Sequence, residues 1–72
     1  MKTIHNVIDG DVFIQENTLL HGIIAGQTTV NSNVEFELHG TVNGNLVLLA
    51  DATVFLRGTV NGDVYNKGGY LE

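Results

Sequence analysis

The feature that most constrains this chain is that it repeats. Leu20-His21-Gly22-Ile23-Ile24-Ala25-Gly26 returns as Leu38-His39-Gly40-Thr41-Val42-Asn43-Gly44 and again as Leu56-Arg57-Gly58-Thr59-Val60-Asn61-Gly62, eighteen residues on each time. An earlier copy, Ile4-His5-Asn6-Val7-Ile8-Asp9-Gly10, lies only sixteen residues before its neighbour, so the first unit is two residues short, with the shortening expected near Glu16-Asn17. A fixed period of this length marks a solenoid, whose units bury their apolar faces against one another.

A finer period of six runs inside the unit, through Ile24, Val30, Phe36, Val42, Leu48, Val54 and Val60. Residues two positions away are small or apolar, as in Val34-Phe36-Leu38 and Ala52-Val54-Leu56. Alternation at period two places such residues on one side of a strand. Three hexads make one eighteen-residue turn, which predicts an all-β, single-domain parallel β-helix over residues 1–72, three-sided, with about four coils. Equivalent residues of successive coils then stack about 4.8 Å apart. A hairpin-based sandwich of short strands is the alternative, but antiparallel folds give no reason for a strict eighteen-residue repeat.

Each face can be assigned inward residues. Face A takes Gly22-Ile24-Gly26, Gly40-Val42-Gly44 and Gly58-Val60-Gly62. Face B takes Thr28-Val30-Ser32, Leu46-Leu48-Ala50 and Val64-Asn66-Gly68; face C takes Val34-Phe36-Leu38 and Ala52-Val54-Leu56. The chain has no proline, which suits uninterrupted ladders.

Composition narrows the function classes. A chain of 72 residues without cysteine has neither disulfides nor thiolate metal sites to support its small core. A regular core, oligomerisation, or both must take their place. The formal net charge is −5, with Lys2, Arg57 and Lys67 the only cations of the Lys/Arg type. No cationic footprint for nucleic acid exists, and an anionic membrane surface is disfavoured for the same reason. No apolar run reaches a membrane-spanning length and the first six residues do not read as a signal peptide, so direct membrane insertion is not expected and the cytoplasm is the expected compartment.

The repeat weakens towards Asn66, where Val30 and Leu48 stand in earlier coils, and Tyr70-Leu71-Glu72 begins a further strand. Terminal coils expose backbone groups and core, and nothing in the pattern resembles a helical or loop cap, so end-to-end pairing between copies is expected. Outward positions form a second candidate interface. Phe13, Thr29, Val47 and Tyr65 stack on face B with Leu49 beside them, and Leu19, Phe55 and Leu71 are expected to point out on face C in the row of Glu37. The candidate interface residues are therefore Phe13, Val47, Leu49, Phe55, Tyr65, Asn66, Tyr70 and Leu71. The competing reading is that these side chains cover local loops or the termini.

No constellation points to catalysis. His5, His21 and His39 share one column, which Arg57 continues. Stacked imidazoles can hold a metal or, once protonated, repel one another. A solvent-facing polar corner explains the column equally, and Arg57 fits that reading, so no metal or other cofactor is assigned. The columns Asp9-Ala25-Asn43-Asn61 and Asp11-Gln27-Asn45-Asp63 lack the acidic ligand in every turn that a calcium-binding roll requires, and read as turn and ladder residues. The single serine, Ser32, is expected inward, and Glu35 and Glu37 do not define a glycosidase-type pair.

The repeated Gly-Thr-Val-Asn-Gly-Asn-Leu and Gly-Thr-Val-Asn-Gly-Asp-Val resemble the bactofilins, bacterial polymer-forming cytoskeletal proteins, over about Val7 to Val64. The resemblance implies a right-handed three-sided β-helix that polymerises end to end without nucleotide. Ile24-Ala25-Gly26-Gln27-Thr28-Thr29 is also similar to the hexad of the left-handed hexapeptide acyltransferases, but Val42-Asn43-Gly44-Asn45-Leu46-Val47 departs from it at two positions. The expected function is thus a non-catalytic, self-assembling structural protein, a homo-oligomer or polymer. The alternative is a small adaptor or inhibitory module that binds another protein through an exposed apolar face.

Overall fold

Apolar side chains that alternate over two to four residues, interrupted by glycine, force short strands separated by corners. The computed structural model describes all 72 residues and shows thirteen strands and no helix. The first sheet contains β1 (Lys2–Ile4), β4 (Thr18–Leu20), β7 (Glu35–Leu38), β10 (Thr53–Leu56) and β13 (Tyr70–Leu71). The second contains β2 (Val7–Ile8), β5 (Ile23–Ile24), β8 (Thr41–Val42) and β11 (Thr59–Val60); the third contains β3 (Val12–Ile14), β6 (Thr28–Val30), β9 (Leu46–Leu48) and β12 (Val64–Asn66). Every pairing is parallel and joins one coil to the next, so the three sheets are the faces C, A and B of a β-solenoid of about four coils. No helix is long and apolar enough to cross a membrane.

The core is a set of stacked columns. Ile24 and Val42 stack between Ile8 and Val60 on face A, and Val30 and Leu48 between Ile14 and Asn66 on face B. Leu20 and Leu38 lie between Ile4 and Leu56 on face C. All six central residues are fully buried, whereas Ile4, Ile8, Leu56 and Val60 in the outermost coils are only partly covered. Phe36 is the largest fully buried side chain, and the register sets Thr18 on one side of it and Val54 on the other. Thr18 and Thr28 are the polar residues of an otherwise apolar interior: the Thr18 hydroxyl donates to Glu16 C=O, whereas Thr28 is fully buried and its hydroxyl has no hydrogen-bond partner, a local cost that the surrounding burial must outweigh.

The first coil is short where the sequence places the shortening. Val12–Ile14 pair with residues sixteen positions on, but Thr18–Leu20 pair with residues eighteen positions on. The two missing residues therefore belong to the corner between Ile14 and Thr18. The last coil departs from expectation. Thr53 pairs with Tyr70 and Val54 with Leu71, a step of seventeen. Leu71 thus enters the inward column of Phe36 and Val54; it does not point outward with Leu19 and Phe55. The cause is the preceding corner. In the two complete coils this corner is a four-residue turn, with Val34 N–H donating to Asn31 C=O and Ala52 N–H to Leu49 C=O, and with Asn33 and Asp51 at positive φ of 63° and 65°. Asn and Asp tolerate that left-handed conformation. In the last coil the Asn66 carboxamide replaces this arrangement. Its Oδ1 accepts from the N–H groups of Gly68 and Gly69 and its Nδ2 donates to Gly69 C=O, which closes the corner one residue sooner around Gly68 at φ 104°. The same corner corrects three further positions. Ser32, Ala50 and Gly68 lie on turns and are exposed, because the chain leaves the strand direction before the alternation would carry them inward.

Between faces C and A the coils approach so closely that side chains are excluded. A Cβ on Gly40 would overlap the carbonyl oxygen of Gly22 in the preceding coil, and one on Gly58 the carbonyl oxygen of Gly40. The polar columns act as ladders. Asn61 Nδ2 donates to Asn43 Oδ1 at 2.8 Å, and the N–H groups of Gln27 and Asp63 donate to Asp11 Oδ1 and Asn45 Oδ1 at 2.9 and 3.0 Å. Side-chain oxygens of one coil thus satisfy the backbone of the next where the sheets turn.

Candidate functional site

A solenoid treats its middle and its ends differently: interior strands have a neighbour on each side, and the first and last have one. β1, β2 and β3 form one edge of the three sheets, here the head; β13, β11 and β12 form the other, the tail. Each edge offers backbone donors and acceptors that alternate away from the ladder.

Apolar exposure follows the same division. The exposed large apolar residues are Met1, Val7, Phe13, Ile23, Val64, Tyr65, Tyr70 and Leu71, and all but Ile23 belong to the first or last coil. Val64 and Leu71 are inward residues left 38% and 40% exposed because no further coil covers them. At the head an open cavity of about 400 Å³ lies over the shortened corner, lined by Lys2, Ile4, Val12, Ile14, Glu16 and Thr18 among others.

Of the sequence-derived candidates, Phe13, Tyr65, Asn66, Tyr70 and Leu71 are exposed on these two ends, while Val47, Leu49 and Phe55 are half-buried. Phe13, Thr29, Val47 and Tyr65 do form one outward column, but Thr29 interrupts it and only its end members, 64% and 46% exposed, are open to solvent. Phe55 has company, since the Arg57 guanidinium carbon lies 6.0 Å from its ring centroid, within cation–π range. The structure separates the candidates into end groups and partly covered side groups, which a reading of alternation alone merges.

Sequence reasoning misses Val7, Ile23 and Val64 as exposed apolar residues. Val7 and Ile23 are consecutive members of one outward column on face A, where the later coils carry Thr41 and Thr59. The signal lies in the paired apolar residues Val7-Ile8 and Ile23-Ile24, whose first member has nowhere to go but out. Val64 points inward, as the alternation directs; its exposure comes from its place in the stack.

The histidine column is stacked. The rings of His5 and His21 are 5.4 Å apart with 6° between their planes, and those of His21 and His39 are 5.2 Å apart at 31°. Imidazoles held face to face do not converge on a common point, and no group of three or more His, Cys, Asp or Glu side chains is arranged to hold a metal ion. His39 Nε2 also lies 3.7 Å from Glu37 Oε1, a carboxylate neighbour two residues back on the same strand-end.

Compared with protein-family models, curated proteins and solved structures, this chain has no match.

Proposed function

We propose that this chain is a non-catalytic structural protein that assembles with copies of itself through the two ends of its solenoid. The observation that carries the reading is the concentration of exposed apolar side chains on the end coils, beside strand edges able to add a further strand. Burial of Val64 and Leu71 by another coil would give them the environment that Leu46 and Val54 have in the middle of the stack. The Gly-Thr-Val-Asn-Gly motifs resemble those of bactofilins, and a polymer of that cytoskeletal kind would act in the cytoplasm.

A second reading keeps the chain as a small adaptor that binds another protein through an outward apolar face. The exposed pair Val7 and Ile23 on face A is the surface that favours it. Light scattering coupled to size exclusion, across roughly a hundred-fold concentration range with negative-stain images of the most concentrated sample, separates the two. Self-assembly through the ends gives a mass that rises with concentration and elongated particles. A monomer or one fixed small stoichiometry at every concentration overturns it in favour of the adaptor.

A further inference from the structure

We infer that Asn61 is a site of spontaneous covalent modification, deamidating through its own backbone to aspartate and isoaspartate, and that the fold shields its twin, Asn43. The motif Gly-Thr-Val-Asn-Gly stands at residues 40–44 and again at 58–62, and these are the only two places where glycine follows asparagine. Glycine has no Cβ to obstruct its own amide nitrogen as that nitrogen approaches the preceding side chain. The Gly62 nitrogen gives up its proton to water or hydroxide and attacks Asn61 Cγ. A C–N bond forms, and the Cγ–Nδ2 bond breaks with Nδ2 leaving as ammonia, which closes a cyclic imide. Water then opens the imide at either carbonyl. One opening leaves aspartate; the other leaves isoaspartate, in which the main chain runs through the former side chain. Water is consumed and ammonia released in equal amounts, with no oxidant or cofactor. Attack between adjacent residues has the advantage of any intramolecular reaction.

Both asparagines meet the local requirements. Each is exposed, at the corner between faces A and B. The N–H groups of Gly44 and Gly62 donate to no acceptor, whereas the equivalent N–H of Gly26 donates to Gly10 C=O. The bond from Asn61 Nδ2 to Asn43 Oδ1 opposes both reactions alike, since either side chain must leave it to turn onto its own backbone. What differs is the place in the stack. Ring closure requires the corner to rotate out of its stacked conformation. Around Asn43 both neighbouring coils resist that. Asn43 N–H donates to Ile24 C=O and Asn45 C=O accepts from Thr28 N–H on one side; Val42 C=O accepts from Asn61 N–H and Asn45 Oδ1 from Asp63 N–H on the other. Gly44 also lies between two glycines, so close that a Cβ on it would overlap the Gly26 carbonyl and one on Gly62 would overlap the Gly44 carbonyl.

Asn61 is held from one side only. Its N–H and the backbone of Asp63 bond back to Val42, Asn45 and Leu46, and no coil follows. β13 extends the first sheet alone and leaves this corner uncovered. Solenoid units touch only their nearest neighbours, so the last coil can open by itself, whereas the coil of Asn43 must break with two. The product weakens the tail further. Aspartate at this position has no N–H to give Asn43 Oδ1 and places a second carboxylate on the corner of Asp63. Isoaspartate adds a methylene to the main chain just before β12, whose register on β9 this corner sets.

Ageing the wild-type protein in mildly alkaline buffer tests this, at a dilution where no second copy covers the tail. Trypsin then separates the sites, since Asn43 falls in the peptide Thr3–Arg57 and Asn61 in Gly58–Lys67. Mass spectrometry with fragmentation reads the amide-to-acid mass gain at each asparagine, and a parallel sample in urea gives the rates without the fold. The repeated motif supplies the control, because the two sites share their local sequence and differ in the structure around them. In the folded protein Asn61 is expected to react on the order of tenfold faster than Asn43, and urea to bring the two rates level. Asn61→Gln should abolish the gain in Gly58–Lys67, which otherwise holds only Asn66, followed by lysine and bound through its carboxamide to Gly68 and Gly69. Equal rates in the folded protein, or a faster Asn43, overturn the inference. So does an Asn61 that stays intact when folded yet reacts in urea, or a mass gain that survives Asn61→Gln.

Discussion

Gly40→Ala is expected to destabilise the fold by about 3 kcal/mol or more, at the upper end of what overpacking costs. The added methyl would overlap the Gly22 carbonyl oxygen and lie 2.9 and 3.0 Å from the Gly22 and His21 carbonyl carbons, all of it backbone. No side chain can rotate away. Relief requires the two coils to separate at this corner, where Gly40 N–H donates to Leu20 C=O and Thr41 N–H to Gly22 C=O. The damage also passes to the next coil, because Thr59 N–H donates to Gly40 C=O and Gly58 sits as tightly on Gly40 as Gly40 does on Gly22. A domain of this length has a total stability of roughly 4–11 kcal/mol, so the variant loses a large fraction of it. Urea unfolding followed by circular dichroism measures the loss. A midpoint equal to that of the wild type would mean that the coils are not stacked at this spacing.

Phe36→Ala is expected to cost about 3–5 kcal/mol, the range for removing a fully buried aromatic side chain. Phe36 has no exposed surface and no polar partner, and its column neighbours Thr18 and Val54 belong to strands held in register by continuous ladders. Parallel coils cannot easily collapse into the space, since drawing one strand inward distorts the pairing on both of its sides. Phe36→Leu, which keeps most of the volume, should lose markedly less, about 1 kcal/mol. If alanine and leucine unfold at the same urea concentration, Phe36 is not at the centre of the core.

The fold is legible because two periods agree. The eighteen-residue repeat defines the coil, and the hexad within it defines three strands, so periodicity alone puts Ile24, Val42 and Leu48 inside, where they are fully buried. The shortened corner near Glu16-Asn17 is legible for the same reason: a break in a strict period locates itself. What periodicity does not supply is the geometry of corners. Ser32 and Ala50 obey the alternation on paper, yet they sit on turns made by Asn33 and Asp51 in the left-handed region. Alternation misplaces Leu71 by a single residue, because the side-chain bonds of Asn66 close this corner one residue sooner than the turns at Asn33 and Asp51 close it in the two complete coils. One residue is enough to exchange inside for outside in a strand.

The ends are legible in part. Asn66, Tyr65, Tyr70 and Leu71 mark the tail as different, and Phe13 falls at the head. Val47, Leu49 and Phe55 group with them in the sequence because alternation reports direction and does not report how much neighbouring coils cover. Val64 shows the converse. Its inward direction is evident, and its exposure comes only from the number of coils stacked on it.

The most direct test of end-to-end assembly is amide hydrogen exchange, residue by residue, on dilute and concentrated wild-type protein. Local exchange reports which backbone groups gain a partner. The ends account predicts that amides of β3 at the head and β12 at the tail exchange on the order of tenfold more slowly when concentrated, while those of β6 and β9 between them do not change. Unchanged exchange at both edges, at a concentration where the mass has already grown, would show that copies meet elsewhere and contradict the account.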